Sequence, residues 1–424
     1  MIRKGMIILV LVTLMAPCVF AQRVHIDIQA QSFKKFKIAM PAYTGQSDLA
    51  ASLWSSCAKA LRVSGVFDVL DPRGYITTAA LAEIAPGTLK DWSLIGADYV
   101  VTGAASSSAG NVSMTFQVID LSTSRKILNA QYTTQQGSAY RAVHAFVDAL
   151  LESSLGIEPL FKTKIVAIRE EEGRKQLYVC WPDGTGGQTI RGGGNLVLNP
   201  AWSPDGKKIA FVSYWRNNPD LYLLDVASNK VRLISGLQGI NSAPSFDQTG
   251  NHIACTLSID GRPELYLIDL ATSGRVRLTD SWATDTSPSL CPGGNDLVFC
   301  SSRAGSPQIY HMEFSSKKVR RLTFEGGYNT EPACSPKGGL IAFTHLASDR
   351  QFHIALIRTD GSSMRVLPGS GRGDESPTFS PDGRLVAFAS FDGDLYVSDL
   401  MGVAPVKITE GGGFQEPSWS NVMK

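Results

Sequence analysis

Charge is scarce in this chain and balanced in sign: Asp, Glu, Lys and Arg make up 18% of its 424 residues, and the formal net charge is +2. Soluble domains usually carry about a quarter. No basic block stands out, which excludes a surface built to track nucleic-acid phosphates. Beyond residue 21 no apolar run is long enough to cross a bilayer as a helix. Histidine is limited to six residues, and those at 252, 311, 345 and 353 are scattered, so they offer no converging metal-ligand spacing. HExxH, CxxC and the Gly-x-Ser-x-Gly elbow are absent. An exported serine hydrolase of the prolyl-peptidase type needs that elbow to expose its nucleophile. No glycine-rich phosphate loop joins a strand to a helix, because Gly192 to Gly194 falls among short strands.

Cysteine is also sparse. Six of the seven lie at 57, 180, 255, 291, 300 and 334, without a close-pair rhythm, and several occupy blade positions that other repeats fill with apolar residues. They read as buried free thiols, with one or two disulfides as the alternative. The seventh, Cys18, lies in a leader: Arg3 and Lys4 precede an apolar run from Met6 to Val12 that continues from Leu14 to Phe20 and ends at Ala21. This is the pattern of a secretory signal cleaved before Gln22. Lipidation at Cys18 is disfavoured by Pro17 just before it. Removing Arg3 and Lys4 leaves a mature chain with equal numbers of acidic and basic residues, expected to be soluble in an exported compartment.

What the chain has in abundance is one phrase. It recurs around prolines 200, 244, 288, 332, 377 and 417, at spacings of 44, 44, 44, 45 and 40 residues. Its fullest copies read NPAWSPDGKKIAFVS from Asn199 and ESPTFSPDGRLVAFAS from Glu375. A period in the mid-forties built from short strands is the signature of propeller blades, none of which can bury its apolar faces alone. Within one repeat, AWS (201–203) is the inner strand and Pro204-Asp205-Gly206 the turn. KIAFVS, LYLLDV and KVRLIS follow, rich in residues that suit a pleated, half-buried surface. The last phrase, EPSWS (416–420), stops short, and its missing strands stand at the front as KIVAIRE (164–170) and QLYVCWPDG (176–184). Six blades are predicted, with the ring closed by pairing the C-terminal strand with the region near residue 165.

Residues 22–160 pattern as a small α/β domain and residues 161–424 as the propeller. VHIDI (24–28) and FKIAMPAY (36–43) read as strands. A helix starts at Ser47, capped by Ser47 or Asp48 and ended by Gly65, because Leu49, Leu53, Cys57 and Leu61 recur every fourth residue. VFDVLD (66–71) and ADYVVTGAA (97–105) are further strands, and NVSMTFQVID and RKILNAQYTT form a hairpin around LSTS. Val143, Phe146, Val147, Leu150 and Leu151 make a helical stripe that Gly156 and Pro159 break.

Taken in order, the leader, QRVHIDI, LRVSGVFDVLDP (61–72), IGADYVVTG (95–103) and six blades with SPDG-type turns resemble the TolB family of the Tol-Pal envelope system over essentially the full length. The resemblance implies a monomeric, non-enzymatic periplasmic adaptor without a cofactor. Its propeller would engage the lipoprotein Pal and its mature N-terminus TolA, in support of outer-membrane constriction at division. An exported propeller enzyme acting on a glycan or peptide is the alternative, and a sensor holding a small ligand in the channel is a third reading.

Propeller topology puts the loops between second and third strands, and between outer strand and next inner strand, on one face, with the SPDG turns on the other. On the first face Arg216, Arg262, Arg303 and Arg350 recur in four blades, while Glu331, Glu375 and Glu416 sit near the channel mouth. Arginine forks can grip a partner's carboxylates, or can tie a blade to its neighbour. No ligand spacing establishes a cation at the acidic mouth. The segment Gln22, Arg23, Val24, His25, Ile26, Asp27 and Ile28 alternates polar and apolar residues. It is an edge-strand pattern that either packs on its own domain or adds to a partner's sheet.

Overall fold

The computed structural model describes residues 34–76, 89–190 and 194–423. The leader (1–21) and Gln22–Ile28 lie outside the described residues. The N-terminal sheet is mixed. β1 (Phe36–Ala39) runs parallel to β3 (Phe67–Val69) on one side and to β4 (Tyr99–Ser108) on the other, and the short β2 (Thr44–Gly45) also pairs with β4. β5 (Asn111–Asp120) and β6 (Arg125–Gln135) continue antiparallel as the predicted hairpin. β1 stops at Ala39, shorter than the strand expected through Tyr43. The reason is local: the Met40 amide donates to the Tyr75 hydroxyl and its carbonyl accepts from Trp54 Nε1, so neither joins a ladder.

Helix α1 (Ser47–Val63) buries Leu53, Cys57 and Leu61, each worth about 2 kcal/mol of apolar transfer. Its N-cap is Gln46, without a side-chain cap bond, rather than Ser47 or Asp48. Ser64 closes the other end and Gly65 follows at φ +73°. A short α2 (Leu89–Leu94), which the sequence reading did not anticipate, buries Trp92. α3 (Ala139–Leu155) carries the expected stripe against the sheet, with Phe146 stacked on Phe116, and ends at Gly156 in the left-handed conformation.

Six four-stranded antiparallel sheets form the ring. Blade 1 spans Val197–Ser235, blade 2 Asn241–Arg277, blade 3 Asp285–Arg321, blade 4 Asn329–Val366 and blade 5 Asp374–Lys407. Blade 6 takes Phe414–Trp419 from the C-terminus and Ile165–Ile190 from the front, with Trp419 paired to Ile165 and Phe414 to Arg169. The closure read from the truncated last repeat is therefore present.

Each inner strand carries a bulge that sets two residues, the repeat proline and the one before it, against a single residue of the second strand. The residues before the prolines (Asn199, Ala243, Ser287, Glu331, Ser376 and Glu416) all adopt positive φ between 47° and 55°. Proline is tolerated there because the inner edge faces the channel, where no strand needs its missing N–H.

Neighbouring blades are fastened by hydroxyls. Ser418, Ser245, Ser289 and Thr378 accept from the backbone N–H of Trp202, Leu290, Cys334 and Trp419 on the next blade, at 3.0–3.2 Å. Cys291 and Cys334 form a disulfide between blades 3 and 4, while Cys57, Cys180, Cys255 and Cys300 are buried free thiols.

Candidate functional site

The two ends of the ring differ. The turn end is stiff: Ser203 Oγ donates to Asp205 Oδ1 at 2.6 Å and accepts from the Lys208 amide, while Gly206 takes the left-handed position. Ser380 and Asp382 repeat the device. The N-terminal domain docks on this side, on blades 5 and 6. Arg384 donates to the Ser64 carbonyl at 3.1 Å, His144 Nε2 meets Asp183 Oδ2 at 2.8 Å, and Lys35 pairs with Asp399 at 2.5 Å. A cavity of about 520 Å³ opens at this end of the channel, walled by Trp202, Phe246 and Trp419 over the six prolines.

The loop end is different in kind. Among the described residues, six aromatic side chains are strongly exposed: Tyr214, Trp215, Trp282, Phe324, Tyr328 and Phe391. All six lie on loops joining second to third strands or one blade to the next, so all are on this face. Ile240 and Ile259 join them. Monomeric proteins rarely gather exposed apolar side chains on one side without a partner, and interfaces favour aromatic anchors. Three rings stand in line across blades 4 and 5: Tyr328 to Phe352 at 5.8 Å, and Phe352 to Phe391 at 5.9 Å, both edge-on. Gly373, at φ +98°, leaves room for the Phe391 ring, which a Cβ there would meet at 2.8 Å.

The predicted arginines fall on this face but are used unequally. Arg216 pairs with buried Asp220 at 2.8 Å, and Arg303 pairs with buried Asp285 at 2.6 Å and lies over Phe299 and Tyr310. Both brace their own blade or its loop. Arg262 reaches the Trp282 carbonyl at 3.5 Å, and Arg350 is exposed at a left-handed turn position.

The three glutamates are brought together at the mouth, where a cavity of about 160 Å³ is lined by Glu331 and Glu416. Both also bridge blades: Glu331 accepts from Thr344 Oγ1 and the Ser376 amide at 2.8 and 3.0 Å, and Glu416 from the Asn199 amide at 2.5 Å. Glu375 stands one residue further from its proline than they do, and among the described residues no hydrogen bond reaches its carboxylate. Burial, then the Glu331 and Glu416 charges, push its pKa up to about 7 against a smaller opposing pull from Lys175. Burial likewise raises Glu416. No cluster of three or more metal-ligating side chains occurs among the described residues. The sequence reading missed the aromatics. The available signal was large aromatic residues in polar, glycine-bearing loops rather than in strand phrases.

A small α/β domain clasped to the turn end of a six-bladed propeller, with an aromatic loop end left open, defines a two-domain propeller protein with a surface suited to macromolecular contact. The family models fix it further: the TolB amino-terminal domain matches residues 24–127 and the TolB beta propeller domain residues 152–423, so the chain belongs to the TolB family. Relatives include the "Tol-Pal system protein TolB" of Desulfosudis oleivorans, 32% identical over 58% of each chain. That of Syntrophus aciditrophicus is 33% identical over 56% of this chain and 57% of its own. The chain thus spans a little over half the length of the curated relatives it matches. The crystal structure of TolB from Acinetobacter baumannii superposes with a TM-score of 0.76 at 29% identity, over 92% of this chain and 97% of that one. No described helix is long and apolar enough to cross a membrane.

Proposed function

We propose that the chain is a Tol-Pal system component acting as a non-enzymatic adaptor in the periplasm. Its propeller binds the lipoprotein Pal through the loop end, and its N-terminal segment Gln22–Ile28 binds TolA. By joining the two it supports envelope integrity and outer-membrane constriction at division. The name these relatives share supports the system, and the single observation that carries the adaptor reading is the gathering of all six strongly exposed aromatics of the described residues on one propeller face. Arg262 and Arg350 are the predicted arginines best placed to meet a partner, and Arg216 and Arg303 shape the loops beside them. Calorimetric titration of residues 22–424 with the soluble domain of the same organism's Pal tests this directly. A saturable one-to-one isotherm is expected, and no heat at several temperatures overturns it. Removal of residues 22–28 should abolish TolA binding and leave the propeller folded; unchanged TolA affinity rejects the role of that segment.

A further inference from the structure

The loop end is not uniform, and its asymmetry specifies what can dock there. The Tyr328, Phe352 and Phe391 ladder occupies only blades 4 and 5, the same side of the mouth as Glu331 and Glu375. Glu375 lies opposite Ala389, two residues before Phe391, and Tyr328 directly precedes the inner strand that carries Glu331, so the rings adjoin the acidic rim. The Tyr328 phenol is pushed up by burial first, then by the Cys300 thiol and the Glu331 carboxylate. Glu331, Glu375 and Glu416 come from three successive blades. The cation acting on Glu375, Lys175, is already committed to Gln415 Oε1 at 2.8 Å and to Glu170 at 3.7 Å. Glu331 and Glu416 have donors from the next blade, whereas Glu375 is half-buried and has no such donor among the described residues. Acceptors left unpaired in a partly desolvated site gain most from a charged donor brought by a partner.

We infer that the aromatic ladder and the adjoining acidic rim together receive a protein segment carrying a lysine or arginine flanked by apolar side chains, the apolar groups covering Phe391 and Tyr328 and the cation meeting Glu375. This rests on reading the loop end as the docking face. The rings supply contact area at low entropic cost, and the carboxylates supply orientation and salt-dependent attraction. Trp215, on blade 1 across the channel, belongs to the same exposed face but lies outside this patch.

Two measurements on the mature chain decide the matter. In titrations with the soluble Pal domain, Phe391→Ala and Tyr328→Ala should each weaken binding by about tenfold or more, and Trp215→Ala by less than about twofold. Glu375→Gln should weaken it and flatten its salt dependence. Equal effects on the two sides of the channel, or an unchanged affinity and salt slope in Glu375→Gln, overturn the inference. The second measurement needs no Pal. With 4-fluorophenylalanine incorporated throughout, and the Phe391 resonance assigned from Phe391→Leu, capped Leu-Lys-Leu should shift that resonance and capped Leu-Glu-Leu should not. Glu375→Gln should remove the shift. No shift, or the same shift from both peptides, rejects the basic occupant. Silence toward Pal with a lysine-selective shift would reject the adaptor reading while retaining this patch.

Discussion

The two ends of the propeller are made from the same repeat and put to opposite uses. At the turn end the connections are short and close on themselves: serine, aspartate and glycine satisfy one another within four residues, as Ser203, Asp205 and Gly206 do. The exposed side chains there are mostly polar, as at Lys207, Ser228 and Lys317, and the N-terminal domain rests on part of that end. At the loop end connections vary in length, and their aromatics are held by the strands without being buried by them. A rigid repeat can therefore hold its architecture with one set of turns while the other set carries recognition.

Breaking this comparison from the turn end should cost the most stability. Trp419→Ala removes a buried ring that donates to Thr163 Oγ1 at 2.9 Å on the closing blade, and about 3–5 kcal/mol should be lost in urea denaturation. Reduction of Cys291–Cys334, or Cys334→Ser, should cost about 2–4 kcal/mol in the same assay. Only four thiols of the mature chain should react in denaturant before reduction. Arg384→Ala deletes hydrogen bonds to Asp382 and to the Ser64 carbonyl, so about 2 kcal/mol should be lost and exchange of amides around Ser64 should quicken.

Two changes at the loop end sharpen the contrast. Glu375 has a folded pKa of about 7 against an ordinary 4.5, so the folded state holds the extra proton between those values and stability falls as pH rises through that window. Glu375→Gln should therefore raise the melting temperature at pH 8 by about one or two degrees and change it little at pH 5. An equal effect at both pH values would reject the burial and charge argument. Smallest of all, Trp282→Ala should alter stability by less than about 0.5 kcal/mol, because its side chain is 70% exposed. A larger loss in denaturation would show that this loop end is structural.

Much of the fold was legible before any coordinate. α3 follows the stripe from Val143 to Leu151, and the second strands of blade 1 and blade 3 begin and end as their apolar runs do. The candidate site was legible only in part. Arg216 and Arg303 were visible as a recurring arginine, but whether such a residue grips a neighbour or waits for a partner depends on the buried carboxylates Asp220 and Asp285. Glu331 and Glu416 had the same ambiguity, and the structure makes both of them bridges between blades as well as rim residues.

The sequence by itself determined the number of blades, the turn chemistry, the closing pair of strands and, among the described residues, the two long helices and the main strands ahead of them, but not β2 or α2. What it determined follows from local rules, namely side-chain period, glycine and proline at turns, and a repeat left incomplete at one end and supplied at the other. Tertiary structure decided how each loop side chain is used. Arg303 and Arg350 occupy the second-to-third loops of neighbouring blades, yet the first is paired with buried Asp285 and the second is exposed. Their difference depends on which carboxylate the fold brings against each guanidinium, a contact between residues separated in the chain that no local pattern encodes.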